Sequence, residues 1–85
     1  MDYQVSLTNE ARKELLALPP ELRERVVGAL DSLSLDPFSH VKRLQGSQLF
    51  SYRVGEYRVI FTVRRSRMLI LVIRIGHRRN VYRGL

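Results

Sequence analysis

The sequence predicts an α+β fold: an N-terminal strand, a helical hairpin, then a three-stranded antiparallel meander forming one twisted sheet. Three observations predict it. Apolar residues at helical spacing are confined to residues 9–34, with Pro19-Pro20 in their midst. β-Branched and aromatic residues crowd the chain from Leu49 onward. Gly55-Glu56 divides that second stretch where a two-residue hairpin turn fits, because a type II′ turn needs positive φ at its first central position.

Tyr3, Val5 and Leu7 alternate with polar neighbours and predict a short strand over residues 2–7. Thr8 is a helix N-cap candidate, and Glu10 sits near the positive end of the helix dipole that follows. Ala11, Leu15 and Leu18 recur at i, i+4, i+7, so a first helix is expected over residues 9–17. Pro19-Pro20 ends it and starts a second, since proline is tolerated in a first turn whose N–H groups lack partners. Leu22, Val26, Ala29 or Leu30, and Leu33 carry that helix to about Ser34. Asp36-Pro37-Phe38-Ser39 breaks the pattern, and a loop is expected through His40, Lys42, Arg43 and Gly46. Strands are predicted over 49–54, 57–64 and 67–75, with Arg65-Ser66 as the second turn.

With 85 residues and no visible linker or repeat, residues 1–85 are expected to form a single domain, able to bury about 60 to 65% of its unfolded surface. There is no cysteine, which rules out disulfides and thiolate metal sites and fits a reducing, cytoplasmic setting. The opening Met-Asp-Tyr-Gln lacks a secretory pattern, and the apolar run Met68 to Ile73 is far short of the roughly 20 residues of a membrane span. Two histidines and scattered carboxylates offer no metal-ligand spacing, so no cofactor is expected.

The net charge of +7 is segregated. Residues 1–41 carry four basic and seven acidic side chains; residues 42–85 carry ten arginines and one lysine against the single Glu56. Arginine grips phosphate with a planar fork and stacks on bases, so the second half is suited to a polyanion, above all RNA.

Registering the strands on Gly55-Glu56 opposes Val54 to Tyr57, Tyr52 to Val59 and Phe50 to Phe61, an apolar face for the helices. The other face opposes Arg53 to Arg58, Ser51 to Ile60 and Leu49 to Thr62. Two like charges directly opposed destabilise a sheet by up to about 1 kcal/mol, so either an anionic ligand or a carboxylate such as Glu56 is expected to relieve them. Tyr52 and Tyr57 belong to the core face. Arg74 shares that parity beside Tyr57, placing it near the sheet edge with Glu14 or another helix carboxylate as partner.

Two segments, Ser51-Tyr52-Arg53-Val54-Gly55-Glu56-Tyr57-Arg58-Val59-Ile60-Phe61 and Ile75-Gly76-His77-Arg78-Arg79-Asn80-Val81-Tyr82, resemble the RelE/ParE superfamily of toxin-antitoxin toxins. Lys42-Arg43-Leu44-Gln45-Gly46 is similar to that family's basic-Leu-x-Gly segment. The resemblance implies a RelE-like, microbial-ribonuclease-like fold and, in the RelE branch, a ribosome-dependent endoribonuclease that cleaves mRNA in the A site and so inhibits translation. It also implies a cytoplasmic toxin, monomeric within a toxin-antitoxin complex, whose partners are the ribosome, mRNA and a cognate antitoxin. The basic face suits an acidic antitoxin segment wrapping over it.

By that resemblance the catalytic residues are Arg58 on the central strand, Arg78 after the last strand and Tyr82 near the C-terminus. Metal-independent cleavage by 2′-hydroxyl attack needs a base, cations for the dianionic phosphorane and an acid for the departing 5′ oxygen. Arg53, Arg58 and Arg78 supply charge; Tyr82 stacks on a base or positions the hydroxyl. The lysines that contribute to catalysis in the RelE branch are replaced by residues near Leu49 and Ser51. His77, with an ordinary pKa of about 6.5, is then the candidate base, with a capping or packing role equally open; His40 reads as a surface residue. Lys42, Arg43, Arg53 and Arg79 are candidate RNA contacts, and Arg64, Arg65 and Arg67 form a basic tip that touches RNA without specificity. Two other functions remain open: a ParE-like inhibitor of DNA gyrase, and a non-catalytic module that binds RNA or antitoxin.

Overall fold

The computed structural model describes residues 2–39, 41–44, 46 and 48–77. Its elements run β1 (Gln4–Leu7), α1 (Asn9–Leu16), α2 (Pro20–Leu35), β2 (Val41–Arg43), β3 (Phe50–Val54), β4 (Tyr57–Arg64), a 3-10 turn (Arg65–Arg67) and β5 (Leu69–His77). The five strands form one sheet in the order β1-β5-β4-β3-β2, which puts β4 at its centre.

Thr8 caps α1, as its short polar side chain allows: the hydroxyl oxygen accepts the Ala11 N–H at 3.1 Å. The same hydroxyl donates to the Ile73 carbonyl at 2.9 Å, pinning the start of α1 to β5. At the other end of α1, Arg23 of α2 donates to the carbonyls of Leu16 and Leu18. A cation there meets the negative end of the helix dipole and closes the hairpin across Pro19-Pro20.

Ala11, Leu18, Val26, Ala29, Leu30 and Leu33 of the hairpin pack on Val54, Val59, Phe61, Ile70, Val72 and Ile75 of the sheet. Phe61, Leu33, Ile70 and Val26 are fully buried, each contributing about 1.5–3 kcal/mol relative to exposure. The helix-packed core therefore lies on one side of the sheet, while Ile60 and Ser51 are buried on the other.

Three expectations need correction. The segment expected as a loop holds β2, whose Val41, Lys42 and Arg43 pair with Tyr52, Ser51 and Phe50 of β3. Three residues are too few to show alternation, and the strand exists because the β3 edge offers it hydrogen-bond partners. The N-terminal strand joins the sheet in parallel with β5, Gln4 beside Leu69 through Leu7 beside Val72, so the sheet is mixed and has five strands.

The third correction concerns register. A two-residue turn at Arg65-Ser66 would set Arg74 opposite Tyr57; the structure sets His77 there. The turn is longer, a 3-10 turn followed by Met68 at φ 50, and β5 then jumps from Val72 (opposite Phe61) to Arg74 (opposite Ile60). Ile73 is the extra residue of that β-bulge, and its carbonyl is the one taken by Thr8.

Candidate nucleic-acid interface

The β3–β4 hairpin shapes the basic face. Gly55 adopts φ +60, a conformation costly for other residues, and the tight turn holds the predicted register, Arg53 opposite Arg58 and Ser51 opposite Ile60. Lys42 opposes Ser51, so it stands on this face with them, and Arg64 shares the face by its even spacing from Arg58. On the next strand Arg58 is opposite Gly76, which puts no side chain beside it. Ile60 is fully buried on this face, outside the helix-side core.

Arg53 and Arg58 repel across the strands, and among the described residues neither has a carboxylate at ion-pair distance. Arg53 Nε donates instead to the carbonyl of Gly55 at 3.1 Å, from an exposed position. Arg58 is half-buried, and its guanidinium makes no hydrogen bond or ion pair with any described residue. The expected neutralisation of Arg53 by a carboxylate such as Glu56 is therefore not met among the described residues.

A third guanidinium approaches from α2. Arg25 lies so near the turn that a Cβ on Gly55 would stand 3.4 Å from its Nη2. Arg25, Ser32, Tyr52, Arg53 and Gly55 line an open cleft of about 310 Å3 between α2 and β3. Arg25 was not among the sequence-predicted residues. Its signal was present: it sits three residues after Leu22 and four before Ala29, at the border of the stripe that α2 turns to the sheet.

Arg74 has a different setting. Glu14 Oε1 accepts from Arg74 Nε at 3.1 Å and from the Ile75 backbone N–H at 3.0 Å, while Oε2 accepts from Arg74 Nη2 at 3.1 Å. That hydrogen-bonded pairing raises the Arg74 pKa above its ordinary value, against the opposing effect of burial. The partner expected from sequence is correct, but not the parity: Arg74 opposes Ile60, and the bulge re-aims it at α1 beyond the end of β1. Glu14 also satisfies an edge N–H that β1 no longer covers.

The remaining predicted residues divide. His77 is exposed on the Tyr57 side, the two rings T-shaped with centroids 5.7 Å apart, whereas Arg58 points to the opposite face. The structure thus does not bring the His77 imidazole to the Arg53–Arg58 pair, and its contact is one of packing. Arg65 turns away from the basic tip to lie over the Phe38 ring at 4.5 Å, and Arg43 opposes Phe50 on the helix side of the sheet. Arg67 is exposed in the 3-10 turn. Arg78, Arg79, Tyr82 and His40 lie outside the described residues.

Comparison with known proteins gives this architecture a family. The family model for the ParE toxin of the type II toxin-antitoxin system parDE matches residues 5–82. The chain belongs to the RelE/ParE toxin superfamily. It is 34% identical to the toxin RelG of Mycobacterium tuberculosis over 86 aligned residues, covering 98% of this chain and 99% of RelG. Among solved structures, the toxin-antitoxin complex RelBE2 of M. tuberculosis contains a chain that superposes with a TM-score of 0.84 at 32% identity, covering 92% of this chain and all of that one. The archaeal RelE-RelB complex of Pyrococcus horikoshii gives a TM-score of 0.82 at 27% identity, covering 95% of this chain and all of that one. This chain is thus a RelE/ParE-type toxin. No helix among its described residues is long and apolar enough to cross a membrane.

Proposed function

We propose that this toxin is a ribosome-dependent endoribonuclease that cleaves mRNA in the A site by metal-independent attack of a 2′-hydroxyl on the neighbouring phosphodiester. The observation that carries the reading is the opposed pair Arg53 and Arg58, unneutralised by any described carboxylate, on the side of the sheet that the helices leave open. A dianionic phosphorane is the kind of ligand that relieves such a pair, and charge developing in the transition state is where guanidinium groups accelerate phosphoryl chemistry most. In this reading Arg58 and Arg78 clasp the phosphorane, Arg53 adds charge, and Tyr82 orders the attacking ribose or stacks on its base. Lys42 and Arg64 extend the contact along the RNA backbone. The T-shaped contact of His77 with Tyr57 supports a packing role for that residue over a base role.

The test is translation-dependent mRNA cleavage in a cell extract, comparing the native chain with Arg58→Ala and Arg78→Ala. Cleavage that survives both changes sinks the site. A second reading, inhibition of DNA gyrase, draws support from the matching family model, which is that of ParE. Purified toxin that blocks supercoiling while mRNA stays intact would reverse the order. A third, a module that binds without turnover, draws on Leu49 and Ser51 standing where the resemblance expects lysines; binding without cleavage under translating conditions would select it.

In this reading the toxin acts in the cytoplasm as a monomer restrained by a cognate antitoxin; the solved RelBE2 relative is a toxin-antitoxin complex and the P. horikoshii relative a RelE-RelB complex. An antitoxin segment rich in Asp and Glu would neutralise the face that RNA otherwise occupies. Co-purification with a small acidic protein is the corresponding check.

A further inference from the structure

A second ligand site stands at the other end of β4. Phe38, in the turn after α2, is fixed by its backbone N–H, which donates to Asp36 Oδ1 at 3.1 Å. Its ring meets Phe50 edge-on at 5.8 Å, and Phe50 stacks on the fully buried Phe61 at 5.7 Å, so a rigid aromatic column runs from the core to the surface. The column does not end in water-covered hydrocarbon. Phe38 is 38% exposed, and the Arg65 guanidinium lies over its ring at 4.5 Å. Phe38, Arg43, Gln48, Phe50, Val63 and Arg65 line a slot of about 240 Å3.

The chemistry of that slot is narrow. Among the described residues its lining holds no carboxylate, and the Arg65 guanidinium over the Phe38 ring favours an electron-rich ligand. Its volume is below the roughly 300–1,000 Å3 of sites for drug-sized molecules, leaving room for one planar ring system. A guanidinium already seated on an aromatic ring offers its outer face as a stacking plane, and arginine planes and aromatic rings are the surfaces on which unstacked bases rest. Gln48, which both donates and accepts, can meet a base edge.

We infer that this slot binds a single unstacked nucleobase of single-stranded RNA, stacked on the Arg65–Phe38 pair. The inference rests on the RNA-binding reading given above. It assigns to Arg65 a base contact rather than a diffuse electrostatic one. The slot lies roughly 20 Å along β4 from Arg58, at 3.3 Å per residue, and on the helix side of the sheet. Base anchoring there is therefore separate from phosphate chemistry at the Arg53–Arg58 face.

The probe is a short oligoadenylate, compared by fluorescence anisotropy with an abasic ribose-phosphate oligomer of equal length, each titrated with the purified full chain. Phe38→Ala is expected to weaken oligoadenylate binding about 5- to 20-fold and to leave the abasic oligomer unchanged, because only stacking is lost. Phe38→Trp should retain or tighten binding. Arg65→Lys, which keeps the charge and loses the plane, should show the same base-selective loss as Phe38→Ala. Equal binding of oligoadenylate by native chain and Phe38→Ala overturns the slot, as does an equal loss toward both oligomers. So does a loss confined to an acidic partner protein with RNA binding intact. The nuclease reading stands or falls separately: base-selective binding by a chain that does not cleave supports the slot and overturns only that reading, and Arg58-dependent cleavage with no Phe38 effect does the reverse.

Discussion

Arg74 and Arg58 sit on neighbouring strands of one sheet, opposite or beside the same residue Ile60, yet their surroundings have little in common. Arg74 is clasped by both oxygens of Glu14, which also takes the Ile75 N–H. Arg58 faces Arg53 and has no described partner. The difference separates an arginine that holds the fold from one that the fold holds out. Charge in the C-terminal half is therefore not one basic surface: part of it is spent on closing the edge of β5, and the remainder is what a polyanion can reach.

The largest expected effect breaks the comparison by activity. Arg58→Ala should lower mRNA cleavage by roughly 100-fold or more, the scale of losing a preorganised charge contact to a transition state. Arg74→Ala should leave the rate per folded molecule as it was while reducing the folded fraction. Single-turnover cleavage, normalised to folded protein by circular dichroism, reads both; a large rate loss in Arg74→Ala would erase the distinction.

Stability should show the mirror image. Glu14→Ala leaves the half-buried Arg74 and an edge N–H without their acceptor and is expected to cost roughly 2–3 kcal/mol in urea unfolding. Glu14→Gln keeps an acceptor for the Ile75 N–H and should cost about 1 kcal/mol. A neutral result for Glu14→Ala would mean that the pair contributes specificity of docking rather than stability.

Smaller effects sharpen the other side. Gly55→Ala forces a side chain into φ +60 and toward Arg25, with an expected loss of about 1 kcal/mol in thermal unfolding; Gly55→Asn, more tolerant of that conformation, should lose less. Arg53→Thr removes a like charge from opposite Arg58 and should raise stability by about 0.5 kcal/mol, a gain that shrinks as salt screens the repulsion. Destabilisation by Arg53→Thr would instead reveal a partner that neutralises Arg53 in solution.

Legibility in the sequence followed the range of the interaction. The β3–β4 register, with Arg53 opposite Arg58, was readable because a two-residue turn at Gly55-Glu56 leaves only one pairing. The Glu14 partner of Arg74 was named for a parity that the structure corrects. Register on β5 went wrong by three positions, two from a longer turn ending at left-handed Met68 and one from the bulge at Ile73, neither of which has a strong residue signature. His77, a candidate base by its near-neutral ordinary pKa with packing equally open, is set beside Tyr57 by a register that the sequence does not reveal. Arg25 and the Phe38–Arg65 slot went unread because each joins segments far apart in sequence.

By itself, then, the amino-acid order determined the helical hairpin, the Thr8 cap, the apolar face of the meander and the crowding of arginine into its second half. Those are outcomes of local propensity and of side-chain alternation, which neighbouring residues set. Only the tertiary structure decided that β1 runs parallel beside β5, that β2 is a strand, and which arginine meets a carboxylate. Parallel pairing, edge pairing and ion pairing across some sixty positions depend on how the whole chain closes, and no short stretch of it records that closure.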